Sequence, residues 1–291
     1  MDARARTGAP RWPERAPLGG LAPRRRLFVL GLVAVLVALT TVVGVSVARE
    51  YAVPPVADPA RPGPVLLVPG YGGNASSLQD LAQRLRLAGR PAAVVALPDG
   101  GTGDLAAQAA AIDDEVRNLL RTGASSVDLV GYSAGGVATW LYLESGRTAP
   151  AVRRLVTLGS PLQGAELAAA GGALVPGACP RACQQLAPGS ALLTGLDERP
   201  RPTIPWLSLW TDNDETVTPP DSAALPGIAS LRLQSVCRGL VVGHSRLPTS
   251  GLSLGLVLRA LGTDPLPAPA PSACGQLQAE GLGRPLTREG N

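Results

Sequence analysis

The chain contains no lysine, a single histidine and few aromatic residues, which make up 3% of its 291 positions. Each shortage narrows the chemistry. Without lysine, the 26 basic residues are all arginine, whose guanidinium does not deprotonate in proteins. His244 is therefore the one side chain suited to act as a base near neutral pH. With aromatics scarce, the aliphatic mass comes from Leu, Val and Ala, and no basic stretch is interleaved with aromatic side chains. That excludes the usual footprint of a nucleic-acid binder. Cysteine is sparse too, at four residues. Cys179-x3-Cys183 is near metal-ligand spacing, but Cys237 and Cys274 stand far apart, which argues against a zinc centre. No internal repeat is visible.

What charge there is lies at one end. The formal net charge is +4, yet seven arginines (Arg4, Arg6, Arg11, Arg15, Arg24, Arg25 and Arg26) fall before residue 27, against only Asp2 and Glu14. The remainder is close to neutral. Residues 27–48 follow as an unbroken apolar and small run whose only polar members are Thr40, Thr41 and Ser46. Such a run is long enough to cross a bilayer. The arginines before it set the N-terminus on the cytoplasmic side. Two readings stand. One is a retained single-span anchor, favoured by the length of the run. The other is a signal cleaved near Ala48, supported by the small-x-small exit Ser46-Val47-Ala48 and by Arg25-Arg26-Leu27-Phe28-Val29, which is similar to a twin-arginine export motif. Both put the remaining chain outside the cytoplasm. An even number of cysteines in an exported chain implies disulfides. Of three possible pairings, Cys179–Cys183 and Cys237–Cys274 are expected.

These features divide the chain into a basic segment with its signal or anchor (1–50), a linker (51–63), a catalytic domain (64–262) and a Pro/Ala-rich tail (263–291) expected to be tethered through Cys274. Within the domain, β-rich runs at 65–68, 92–96, 127–130, 155–158, 205–210 and 230–235 alternate with helical stretches at 105–120, 134–144 and 252–261. A further helix is expected to open at a capping box, Ser76-x-x-Gln79. Alternation of this kind predicts an α/β fold with a mostly parallel sheet of about six strands covered by helices. Residues 163–201 are too long for a simple loop and read as a cap or pocket wall. Its aliphatic residues, with Leu162 beside them (Leu162, Leu167, Leu174, Val175 and Leu186), either line an acyl pocket or belong to the core.

Gly131-Tyr132-Ser133-Ala134-Gly135 matches G-x-S-x-G where the apolar run ending at Val130 meets a helix. A junction that sharp lifts the serine out of the chain and leaves no room for side chains two positions away on either side. Ser133 is the expected nucleophile and His244, which follows the apolar Leu240-Val241-Val242, its general base. The third member, needed to orient the imidazole, comes from the cluster Asp212, Asp214, Glu215 and Asp221. A position in the turn directly after the strand ending at Trp210 disfavours Asp221 and leaves Asp212 and Asp214. The oxyanion hole is expected from the backbone N–H groups of Ala134 and Tyr71, the latter in the glycine-rich loop 69–73.

Residues 65–262 resemble the bacterial class 2 lipases and the small Bacillus-type lipases of the α/β-hydrolase superfamily. The resemblance is carried by Val68-Pro69-Gly70-Tyr71-Gly72-Gly73, Val130-Gly131-Tyr132-Ser133-Ala134-Gly135-Gly136, Thr157-Leu158-Gly159-Ser160-Pro161, Asp214-Glu215-Thr216-Val217 and Val242-Gly243-His244. In that family an Asp three residues before a Val is the triad acid, which points to Asp214. The family usually has His-Gly where this chain has Pro69-Gly70. The resemblance implies hydrolysis of lipid or other carboxylic esters through an acyl-serine, without metal or organic cofactor, by a monomer. Acyl transfer or thioester cleavage with the same triad is the alternative, and a surface-anchored, non-catalytic binding module a further one. The expected partners are an ester substrate and, where the N-terminal segment is retained, a membrane.

Overall fold

The computed structural model describes residues 22–50, 55–174 and 179–284. It falls into two units, Met1–Val53 and Pro54–Asn291, each treated by itself. In the first, α1 spans Pro23–Glu50. Proline suits a first helical position because the N–H it lacks would have no partner there. Of this helix, Pro23–Val47 is 25 residues long, and its most apolar 18-residue window has a mean hydropathy of 2.7 with none of it buried. At ~1.5 Å per residue that stretch exceeds the ~30 Å hydrocarbon core of a bilayer. The basic residues at positions 4–15 lie outside the described residues.

The second unit alternates strand and helix as its sequence pattern requires. β1 (Val65–Val68), α2 (Ser76–Leu87), β2 (Ala92–Val94), α3 (Leu105–Arg121), β3 (Val127–Tyr132), α4 (Ala134–Ser145) and β4 (Val152–Leu158) come first. The short helices α5 (Glu166–Leu174), α6 (Arg181–Gln185) and α7 (Ala191–Asp197) make up the 163–201 insertion. Then follow β5 (Trp206–Trp210), β6 (Ala229–Arg232), α8 (Leu233–Val236), α9 (Gly251–Ala260) and α10 (Cys274–Leu282). Among the described residues the strands form one parallel six-stranded sheet in the order β2-β1-β3-β4-β5-β6. The unit is an α/β-hydrolase fold.

Continuous apolar strands arise because both sheet faces are covered. Leu66, Val68, Leu129 and Leu155 turn to one face, against Ile112 and Val116 of α3 and Val137 and Trp140 of α4. Val65, Leu67, Val130 and Val156 turn to the other, against Leu81 and Leu85 of α2 and Leu252 and Leu256 of α9. In register, Leu66 lies opposite Leu129 and Leu129 opposite Leu155. This aliphatic row stiffens the strands that present Ser133 at the end of β3.

Away from that end, Asp128 is fully buried and paired with Arg90 and Arg153. Burial raises its carboxyl above the ordinary carboxylate range, opposed by the two guanidiniums. The same arginines, with Arg154, donate to the carbonyls of Ala260, Leu261, Gly262, Thr263 and Asp264. The last carbonyls of a helix lack partners and sit at the negative end of its dipole. The buried charges therefore fasten the end of α9, the helix that follows the histidine loop.

Two local expectations give way. The capping box does not form: Ala75 precedes α2 with helical backbone, and the Asn74 side chain accepts from the N–H of Ser76 at 2.9 Å. The strand expected over 230–235 stops at Arg232. Leu233 and Val236 are both buried, and residues three apart reach one face only in a helical turn. Part of the Pro/Ala-rich tail is helix. α10 packs closely on α9 because glycine meets backbone: a Cβ at Gly281 would lie 1.9 Å from the Gly251 carbonyl oxygen, and one at Gly255 2.2 Å from that of Leu277. The Pro/Ala content of residues 265–273, just before it, hides this helix. Residues 285–291 lie outside those described.

Candidate active site

Ser133 sits between β3 and α4 at φ 53°, ψ −128°, a left-handed conformation that costs a non-glycine residue about 1–3 kcal/mol. Close packing of the elbow holds it there. A Cβ at Gly131 would lie 2.5 Å from the Cα of Gly136, and one at Gly135 2.3 Å from the carbonyl oxygen of Val68. The glycines of the motif are steric requirements. The turn aims the hydroxyl at the loop carrying His244, whose Nε2 lies 2.9 Å from Ser133 Oγ.

His244 is 6% exposed, and its Nδ1 lies 2.8 Å from Asp214 Oδ2. A carboxylate at Nδ1 accepts its proton and leaves Nε2 free to accept from the serine. Asp214 is held in turn by its own loop, since its Oδ1 accepts from the N–H of Thr216 at 3.0 Å and of Val217 at 2.7 Å. That second bond is the physical content of an Asp three residues before a Val. Asp212 is exposed and lies 3.4 Å from Arg232, and Asp221 is exposed in a 3-10 turn. The structure thus brings Ser133, His244 and Asp214 into one hydrogen-bonded line and leaves the other acids outside it.

Ser133, Ala134 and Tyr71 line one cavity of about 180 Å³. Ala134 is the first residue of α4, so its N–H belongs to the donors a helix leaves unpaired. The loop of Tyr71 comes close because residue 70 is glycine: a Cβ there would lie 2.8 Å from the Cβ of Ser133. Leu167 and Leu186 also line this cavity, whereas Leu162 belongs to the core. Val175, and the side chain of Leu174, lie outside the described residues. The cysteines form two disulfides, Cys179–Cys183 within the insertion and Cys237–Cys274 between the segment before the histidine loop and α10.

Three contacts around the histidine are absent from the sequence reading. Glu215 Oε2 accepts from the backbone N–H of His244 at 2.9 Å. The ring of Tyr132 stacks on the imidazole at 5.1 Å, and its hydroxyl donates to the His244 carbonyl at 3.2 Å. Burial, with Asp214 and Glu215 nearby, raises the Tyr132 phenol above its ordinary value, so it stays a donor. Gly159, at φ 51°, leaves room for the pair, since a Cβ there would lie 3.0 Å from Asp214 Oδ2 and 3.2 Å from His244 Nδ1. The one available signal is for Gly159: a glycine immediately after a buried strand marks a close backbone approach.

Residues 88–257 match the model of a family described as "Alpha/beta hydrolase of unknown function (DUF915)", more than half of the chain. Among solved structures, the fold is similar to Aspergillus fumigatus lipase B, with a TM-score of 0.61 and 19% identity over 80% of this chain. This chain spans 63% of that lipase. It is similar also to the mature form of Bacillus licheniformis lipase BlEst2, with a TM-score of 0.58 and 21% identity, covering 71% of this chain and 94% of the lipase. No curated protein matches the sequence.

Proposed function

The chain belongs to the α/β-hydrolase family of unknown function that it matches, and from that premise we propose that it is a serine hydrolase of carboxylic esters, a lipase or carboxylesterase akin to the bacterial class 2 lipases, working outside the cytoplasm. One observation carries the reading: Ser133 Oγ, His244 and Asp214 stand in line at 2.9 and 2.8 Å beside an apolar cavity. His244 takes the proton of Ser133 as the oxygen attacks the ester carbonyl, a step worth about 10²–10⁴-fold. Asp214 keeps the imidazole in the tautomer that accepts this proton and stabilises its charge. The N–H groups of Tyr71 and Ala134 receive the developing oxyanion. His244 then protonates the departing alcohol, and water releases the acyl group by the same path. The apolar helix α1 and the two disulfides support a location outside the cytoplasm.

A fluorophosphonate probe together with p-nitrophenyl esters tests this. The wild-type protein is expected to be labelled and to hydrolyse ester, and Ser133→Ala to lose both while melting as the wild type does. Labelling that persists in Ser133→Ala would show that another serine reacts.

A further inference from the structure

The cavity beside Ser133 is bounded in a way that bears on the acyl group. Its volume is about 180 Å³, below the ~300–1,000 Å³ of pockets for drug-sized ligands. An engineered apolar cavity of ~150 Å³ takes up benzene, so this one has room for about six carbons. The room exists because small side chains, Ala165 and Ala168, face it from the start of the insertion.

Its inner wall is part of the core. Leu186 is 5% and Val217 2% exposed, and Leu186 packs within the cluster that contains Leu162, Leu193 and Leu196. Its outer rim is the opposite, with Leu167 59% and Tyr71 45% exposed. The walls are also tied to one another. The N–H of Ala165 donates to the Leu186 carbonyl at 3.0 Å, and that of Glu166 to the Thr218 carbonyl at 2.8 Å. Cys183, which lines the cavity, is joined to Cys179 by the local disulfide. A wall backed by close-packed core and fixed at these points does not yield to a long chain without loss of packing.

We infer that this cavity is an acyl pocket closed at its inner end by Leu186 and Val217, and that the substrates are esters of short acyl chains of about four to six carbons. The inference rests on the ester-hydrolase reading above. Carbons beyond the sixth turn back past Leu167, 59% exposed at the rim. Leu186 is then a specificity-determining residue: truncating it deepens the pocket, while filling the space at Ala168 shortens it.

The test is kcat/KM of the full-length protein for p-nitrophenyl esters from acetate to hexadecanoate. The wild type is expected to peak at butanoate to hexanoate and to fall at least about tenfold by dodecanoate, since single methylenes are worth ~10–200-fold in such pockets. Leu186→Ala should raise the decanoate-to-butanoate ratio by about tenfold or more. Ala168→Leu should move the peak to acetate, and it judges the wall if Leu186→Ala does not fold. A wild type that turns over dodecanoate or longer esters as well as butanoate overturns the inference, even though Ser133 is live. An unlabelled Ser133 with no ester cleaved at all overturns the parent reading, and this one with it.

Discussion

Asp212 and Asp214 stand two positions apart on one loop, and their surroundings give them different work. Asp214 is 5% exposed, with both carboxylate oxygens committed, one to His244 and one to backbone N–H groups. Asp212 faces solvent beside Arg232. Asp214→Asn is expected to lower kcat by about 10³–10⁴-fold, because an amide at Nδ1 holds the imidazole in the wrong tautomer. Asp212→Asn should change it less than about threefold, as a surface pair contributes at most ~1 kcal/mol. Steady-state kinetics on both variants decide the matter, and a larger loss in Asp212→Asn would reverse the assignment. At this scale Ser133 was legible from its glycines and His244 from being alone. The acid was narrowed to Asp212 or Asp214 by its place after Trp210, and the resemblance pointed to Asp214 through its spacing to Val217, whose N–H it accepts three residues on. Glu215 was not legible as a partner of His244, since a contact across 29 residues leaves no local pattern.

Among the elements, α10 is what composition concealed. Its proline-rich approach reads as coil, and only contact with α9 makes it a helix worth forming: Leu277 becomes fully buried there, and Arg259 pairs with Glu280 at 2.7 Å. The Cys237–Cys274 bridge, across 37 residues, joins this helix to the segment before the histidine loop. In the chain-entropy model such a closure contributes about 3–4 kcal/mol. Cys274→Ser is therefore expected to lower Tm by about 6–16 °C, measured by calorimetry. Peptide mapping without reductant should recover a fragment linking Cys237 to Cys274. A fragment joining Cys237 to Cys179 or Cys183 instead, or an unchanged Tm, would remove the bridge from this account. The insertion was legible as something more than a loop, but not as three short helices. α7 is capped locally by Ser190, whose hydroxyl accepts from the Leu193 N–H at 3.3 Å, and α6 is tied to the distant start of α3 by Gln185, which accepts from the Leu105 N–H at 2.9 Å. Runs this short show no clear period.

For the molecule as a whole, the N-terminal apolar helix supports a location outside the cytoplasm. Its window of mean hydropathy 2.7 carries no buried face, so water is a poor solvent for it. Activity is expected in the membrane fraction or the medium, protected from probes confined to the cytoplasm. N-terminal sequencing of that external form separates the two routes: a start near Arg49 marks cleavage, an intact Met1 an anchor. Activity confined to the cytosol would rule out both.

The alternation of apolar runs with helical stretches, the glycine elbow around Ser133 and the apolar N-terminal run were determined by sequence alone. Each depends on residues within a turn or two of one another, where backbone sterics and hydrophobic period act directly. The rest depended on how distant segments pack. His244 reaches Ser133 across 111 residues and Asp214 across 30. The glycine faces that admit α10 against α9, and the core that stops the cavity at Leu186, exist only once the sheet has brought them together. Volume and close approach are properties of packed surfaces, and no single stretch of chain contains them.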